Sequence, residues 1–237
     1  MPGTGSGYSS TIRRGSTASE LAGAPLRDSI PANIEAVSLL GKAAIAIWCQ
    51  IDARLRTEHD AWHSGEHLPE RLGIPGFLRG RRCRAADAAA RWPYFIFYEL
   101  RDAAVMTSSA YLERLNNPTP WSRKLFASCR LSRTLCRVVQ SRGRGVGGQV
   151  LTVQNPAQVQ VDELASRSGI TGVHLLERDS SIERPRTHEE SLRHGGGDDS
   201  VGRVLIVEGH DLTGVSLSGE RYLLAHLLTA NEDLPVQ

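Results

Sequence analysis

No stretch of this sequence approaches the ~20 consecutive apolar residues that carry a helix across a bilayer. A charged-then-apolar leader with a cleavage site is missing as well. Charge of one sign is scarce: 28 Lys and Arg stand against 26 Asp and Glu, and the net +2 is dispersed rather than gathered into one surface. Nucleic acid and anionic membranes call for a concentrated basic face, so neither partner is expected. The cysteines are few. Cys49, Cys83, Cys129 and Cys136 form no C-x-x-C pair and no zinc-finger spacing, which points to reduced, buried thiols in a cytoplasmic protein. Lysine is nearly lacking too, with only Lys42 and Lys124, a bias that fits a GC-rich bacterial genome better than a mechanism.

What remains is a globular composition, 40% hydrophobic and 23% charged over 237 residues, enough for one large domain or two small ones. Residues 1–41 are rich in Gly, Ser and Thr, have no acidic residue before Glu20, and read as a disordered N-terminal tail. From Ala43 the pattern changes. The isoleucine-rich run "AAIAIWCQID" reads as a buried strand, and "ARLRTEHDAWHSGEHLPERLG" as a helix stopped by Gly73 and Pro75. Two strands follow, "GFLRGRRCRAA" and "WPYFIFYELRD", the second apolar on both faces. A helix over "DAAVMTSSAYLERLNN" and a strand at "TLCRVV" complete a β-α-β-β-α-β order within residues 42–140. After a glycine-rich linker, residues 141–148, the order begins again in residues 149–237. Its second helix shrinks to something near "LTGVSLSGE", and the polar loop "IERPRTHEESLRHGGGDDS" separates its middle strands. The fold expected is therefore α+β: two tandem ferredoxin-like halves, sheet facing sheet, forming a dimeric-α/β-barrel-like unit within one chain. That arrangement leaves room for a homodimer of the whole chain.

Within the first half, "AWHSGEHLPERLGIPGFLRGRRCRAAD", "YFIFYELRD" and "SSAYLERLNNPTPWSRKL" together resemble the EthD-like branch of the dimeric α/β-barrel superfamily. The points of likeness are an E-H-x-P element in an aromatic-rich first helix, a P-G-F turn into the second strand, and a Y-E-L-x-D third strand. They cover about residues 44–139. The resemblance implies a pocket between the first helix and the sheet, and cofactor-free chemistry on small organic molecules. It maps the family's histidine onto His67 and its aromatic neighbours onto Trp62 and Tyr98. His63 stands where relatives commonly carry tyrosine.

The same helix contains H-x-x-E-H, His63 to His67, the pattern of inverted zinc peptidases. Such a site needs a third ligand and an open coordination position. Glu99 and Glu113 are the acids available, and neither is brought near His63 by the expected topology, so no metal is assigned. At helical spacing His59, His63 and His67 share one face, and Pro69 predicts a tolerated kink above Gly65. His59 reads as structural and His67 as the proton-transfer residue, because an imidazole trades a proton near neutral pH.

Among the aromatics, Trp48 lies on the strand face opposite Ile45, Ile47 and Ile51. If those isoleucines meet the helices, Trp48 faces the pocket. Tyr94 and Tyr98 share one face of the third strand. The expected site thus has His67 and Tyr98 as catalytic residues, with Trp48, Trp62, His63 and Tyr94 holding a small-molecule ligand. The function expected is a cofactor-independent enzyme that acts on a small apolar carbonyl or aromatic compound by proton transfer, of lyase, isomerase, cyclase or monooxygenase type. The competing classes are a non-catalytic ligand-binding protein and a haem- or metal-binding one.

Overall fold

The strand at Ala43–Ile51, β1, has two faces that serve two cores. Ala43, Ile45, Cys49 and Ile51 pack with the helices that follow, whereas Ala44, Ala46 and Trp48 pack with residues from strands near the other end of the chain. Side chains of a strand alternate, so one wall can seal both spaces. The coordinates are a computed structural model, which describes residues 38–182, 186–193 and 201–230, all within one compact unit, Ala36–Gln237. Most of the expected tail and part of the expected polar loop lie outside the described residues.

After β1 comes a helical segment in several pieces: a 3₁₀ turn at Ala53–Leu55, α1 (Arg56–Trp62), a π-helical turn at His63–His67, and α2 (Leu68–Leu72). Gly76, at φ +96°, turns the chain into β2 (Phe77–Ala85) through the left-handed region that favours glycine. Next are β3 (Tyr94–Leu100), α3 (Ser109–Asn116), α4 (Pro120–Phe126) and β4 (Cys129–Gly143). Ser108 and Thr119 cap α3 and α4 with their hydroxyls, and Pro120 opens α4 where a missing N–H costs nothing. β4 runs on to Gly143, into the stretch expected as linker. The remainder comprises β5 (Gln149–Gln154), α5 (Val161–Ala165), β6 (Ile170–Arg178), α6 (His188–Ser191), β7 (Arg203–Gly209) and β8 (Glu220–Thr229).

All eight strands form one closed antiparallel barrel in the order β1-β3-β2-β8-β5-β7-β6-β4. This corrects the expectation of two tandem ferredoxin-like halves with facing sheets. The edges that β2 and β4 would expose are hydrogen-bonded to β8 and β6, so the hydrogen-bond ladder passes from the first four strands to the last four without a break. The helices are also too few and short for the expected layers. Apart from the interrupted segment over residues 53–72, none described exceeds eight residues; the later strands have only α5 and α6, and nothing is helical over 212–219. No described helix is long and apolar enough to cross a membrane.

The barrel encloses Trp48, Phe95, Phe97, Leu176, Ile206 and Tyr222. Outside it, α1–α4 cover one arc of the wall and α5 another. At one end of the interior the apolar filling gives way to charge: Glu99 accepts from Arg79 and Arg81, and Glu208 from Arg81 and His174.

Candidate functional site

The helical segment over β1–β3 sets out the candidate site, and its irregularity has a local cause. Pro69 has no N–H to give to the carbonyl of Gly65, and its ring would crowd that carbonyl in an α-helix. The turn before it widens instead. Leu68 donates its N–H to the carbonyl of His63, five residues back, and the kink expected at Pro69 takes this π-helical form. Residues five apart now face one another, as they do not in an α-helix. Trp62 stacks on His67, with centroids 4.5 Å apart and planes 25° apart, and Phe126 of α4 meets the imidazole edge-on at 5.5 Å.

The three imidazoles run in a row beneath the helix, with ring centroids 5.8 Å apart between His59 and His63 and 5.6 Å between His63 and His67. All are buried, but His67 keeps 8% exposure where His63 has none. Burial first, and then the neighbouring positive groups, hold His63 and His67 well below the ordinary histidine range, so both are neutral at physiological pH. Each has a buried Nδ1 with no hydrogen-bond partner among the described residues. His63 Nε2 lies 3.5 Å from the Tyr98 hydroxyl, whose proton burial holds more firmly than in water. Tyr94 stands at the far end of the row, its ring 4.6 Å from that of His59. It lines a cavity of about 320 Å³ with Arg56, Asp60 and Arg84, and burial pushes its phenol up to about 12.

Beyond His67 the buried row of side chains becomes cationic. Arg71, one helical turn on, is 5% exposed and donates to Glu189 of α6; Arg193 donates to the other oxygen of the same carboxylate. Arg133 reaches in from β4, also buried, and donates to the Tyr111 hydroxyl at 3.0 Å. Burial alone would raise the Glu189 carboxyl, but Arg71, Arg193 and Arg133 outweigh it and hold it below the usual carboxylate value.

Of the expected site residues, His63, His67, Trp62 and Tyr98 come together beneath the helical segment, and Tyr94 stands apart from them against His59. Trp48 does not join them. It lies inside the barrel, on the other face of β1, with its indole N–H donating to Thr152 at 3.0 Å. Glu66, the middle acid of the H-x-x-E-H pattern, is engaged elsewhere: it accepts from Trp62, Thr119 and Ser122 at 3.0, 2.6 and 3.1 Å and so ties the helical segment to α4. Glu99 is held by arginines inside the barrel, where it cannot orient His67. Among the described residues no group of three or more His, Cys, Asp or Glu side chains converges as metal ligands do. Arg71, Tyr111, Arg133, Glu189 and Arg193 were not among the residues expected from sequence. Arg71 had a signal, since it continues the stripe of His59, His63 and His67; Glu189 had none.

No family model matches the chain, and no curated protein matches it. Among solved structures, an anthrone oxidase-like protein is similar at TM-score 0.48 and 12% identity, covering 82% of this chain and 95% of that one. A candidate monooxygenase from Fusobacterium nucleatum subsp. nucleatum is similar at TM-score 0.49 and 9% identity, over 81% and 96% of the two chains. A candidate monooxygenase from Lactobacillus acidophilus NCFM is similar at TM-score 0.43 and 9% identity, over 80% and 97%. At these identities no side chain of the cleft is assigned by likeness.

Proposed function

We propose that the chain is a cofactor-independent enzyme that moves a proton on a small, largely apolar carbonyl or aromatic compound, with His67 as the base. The observation that carries this reading is the pair of neutral, buried imidazoles whose Nδ1 atoms have no partner in the described structure. An unsatisfied buried polar atom costs stability, and active sites are where such costs gather. A neutral imidazole is the form that accepts a proton, and His67 is the one of the pair with any opening. Tyr98 keeps its phenolic proton and donates it to a substrate oxygen. The guanidinium of Arg71 stabilises negative charge that develops there. Trp62 and Phe126 wall the space beside the base. The E-H-x-P element, Glu66 to Pro69, coincides with the π-helical turn, which supports placing this cleft in the EthD-like branch.

Hydrogen–deuterium exchange at carbon next to a carbonyl tests the proposal directly. A panel of small ketones and β-dicarbonyl compounds in D₂O should exchange faster with the parent protein than in buffer. His67→Gln should slow that exchange by ~10²-fold or more, the usual contribution of a general base. A panel that exchanges no faster than buffer, or a His67→Gln protein as active as the parent, would sink the assignment. A second reading, a ligand-binding protein without chemistry, is favoured by one observation: Arg71 is already engaged by Glu189 within the chain. That reading expects binding by the panel with no exchange.

A further inference from the structure

The cationic end of the cleft says which compounds the site takes. Among the described residues, Arg71 and Arg193 bond the carboxylate of Glu189 and Arg133 acts on it electrostatically, while Glu70, within electrostatic reach of Arg71, is bonded to Arg114; guanidiniums outnumber carboxylates at this end. Arg71 and Arg133 are 5% and 6% exposed, too buried for water to do the balancing. Arg71 Nη1 and Arg193 Nε have no hydrogen-bond partner among the described residues, and Arg133 donates to a neutral phenol, that of Tyr111. The Tyr98 hydroxyl feels this cluster, with Arg71, Glu189, Tyr111 and Arg133 all within electrostatic reach.

We infer that the cleft is built for a ligand bearing a carboxylate, which the guanidiniums of Arg71 and Arg133 grip, and that Glu189 is an internal stand-in competing for them. This rests on the reading of the cleft as a ligand site and adds the substrate class: a small aromatic or apolar carboxylic acid. Arginine is the side chain suited to this, since its planar fork matches a carboxylate. Held by that end, the acid presents its apolar body to Trp62, Phe126 and His67, whereas Glu189 belongs to the chain itself and satisfies only part of the charge.

Benzoate and its neutral counterpart benzamide are suitable probes for titration calorimetry on the full chain. Benzoate should bind the parent, and benzamide should give no measurable heat. Glu189→Gln removes the internal competitor and should bind benzoate ~10-fold tighter or better, a difference of about 1.4 kcal/mol. Arg133→Met should bind it at least ~10-fold more weakly while melting close to the parent, because Glu189 keeps its bonds to Arg71 and Arg193. Arg133→Met keeps the test open should Glu189→Gln fail to fold. Benzamide binding as tightly as benzoate, Glu189→Gln binding no tighter than the parent, or Arg133→Met melting lower with unchanged affinity would each overturn the inference. The two readings fail separately. Discriminating benzoate binding without His67-dependent exchange removes the proton-transfer proposal alone; His67-dependent exchange without benzoate discrimination removes the carboxylate assignment alone.

Discussion

Among the described residues, the buried carboxylates Glu99, Glu208 and Glu189 fall into two arginine networks, and these differ in arithmetic. Inside the barrel, Arg79 and Arg81 face Glu99 and Glu208, two charges against two. Every oxygen of those carboxylates is bonded, with the N–H groups of Leu40 and Gly147 and the ring of His174 completing the set. Beyond His67, Arg71, Arg133 and Arg193 share Glu189 as the one buried carboxylate among the described residues there, beside two imidazoles with idle nitrogens. Buried charge is tolerated when it is paired and hydrogen-bonded. A balanced network behaves as part of the fold, and an unbalanced one has capacity to spare for something that arrives.

Disturbing the balanced side should have the larger effect. Arg81→Met leaves Glu208 without its guanidinium and Glu99 with one arginine in place of two, and should cost about 3–5 kcal/mol in a urea titration. A loss under about 1 kcal/mol would show that the interior network is not structural and would erase the contrast. The cleft should respond differently. Glu189→Gln, which takes a buried carboxylate from among three guanidiniums, should cost about 1–3 kcal/mol in the absence of ligand. Saturating benzoate should restore most of that loss, since a ligand that binds only the folded state stabilises it by mass action. Benzoate should not rescue Arg81→Met.

Acid should separate the regions with a smaller effect. His63 and His67 have folded pKa values below the ordinary one, so below pH ~6.5 the unfolded chain takes up protons there that the folded chain does not. Their contribution is intact above that pH and declines as pH falls. Glu208 is also held low: burial would raise it, but Arg81 and His174 prevail, so its contribution is lost only below its ordinary 4.5. Melting temperature should therefore slope downward from about pH 6.5, and His67→Gln should flatten that first limb while leaving the later one. The smallest effect should come from Trp48→Phe, which loses the hydrogen bond to Thr152 and about 1 kcal/mol, measurable by thermal melting.

How far sequence could reach depended on the range of the interaction. The apolar runs of β1 and β3 and the break at Pro69 are local, and they were legible. The opposite orientation of Trp48 and the isoleucines on β1 was legible too. What could not be read was that the face carrying Trp48 looks into a filled barrel rather than into the pocket, because β2 meets β8 and β4 meets β6 across long separations in the chain. Arg71 stood in plain view on the histidine stripe. Glu189 did not: α6 is a four-residue turn in a polar loop, with no periodicity to mark it, and only the fold carries its carboxylate to Arg71.

The π-helical turn makes this site sensitive to chain length as much as to residue type. Each α-helical residue advances ~100° about the axis, so the extra residue held in the wide turn shifts the phase of the helix. His59 and Trp62 lie in the frame before the shift, and His67 and Arg71 in the frame after it. Gly65 sits within the turn, and a methyl group added there would meet nothing within 4 Å. Deleting this one uncrowded glycine would put Trp62 and His67 four apart, a spacing that still faces in an α-helix, but it would force the Pro69 ring into a regular turn against the carbonyl before it. The change to which the site is least tolerant is therefore one more residue inserted after Trp62, which would rotate His67 and Arg71 by ~100° from His59 and Trp62 while every side chain that matters is still present.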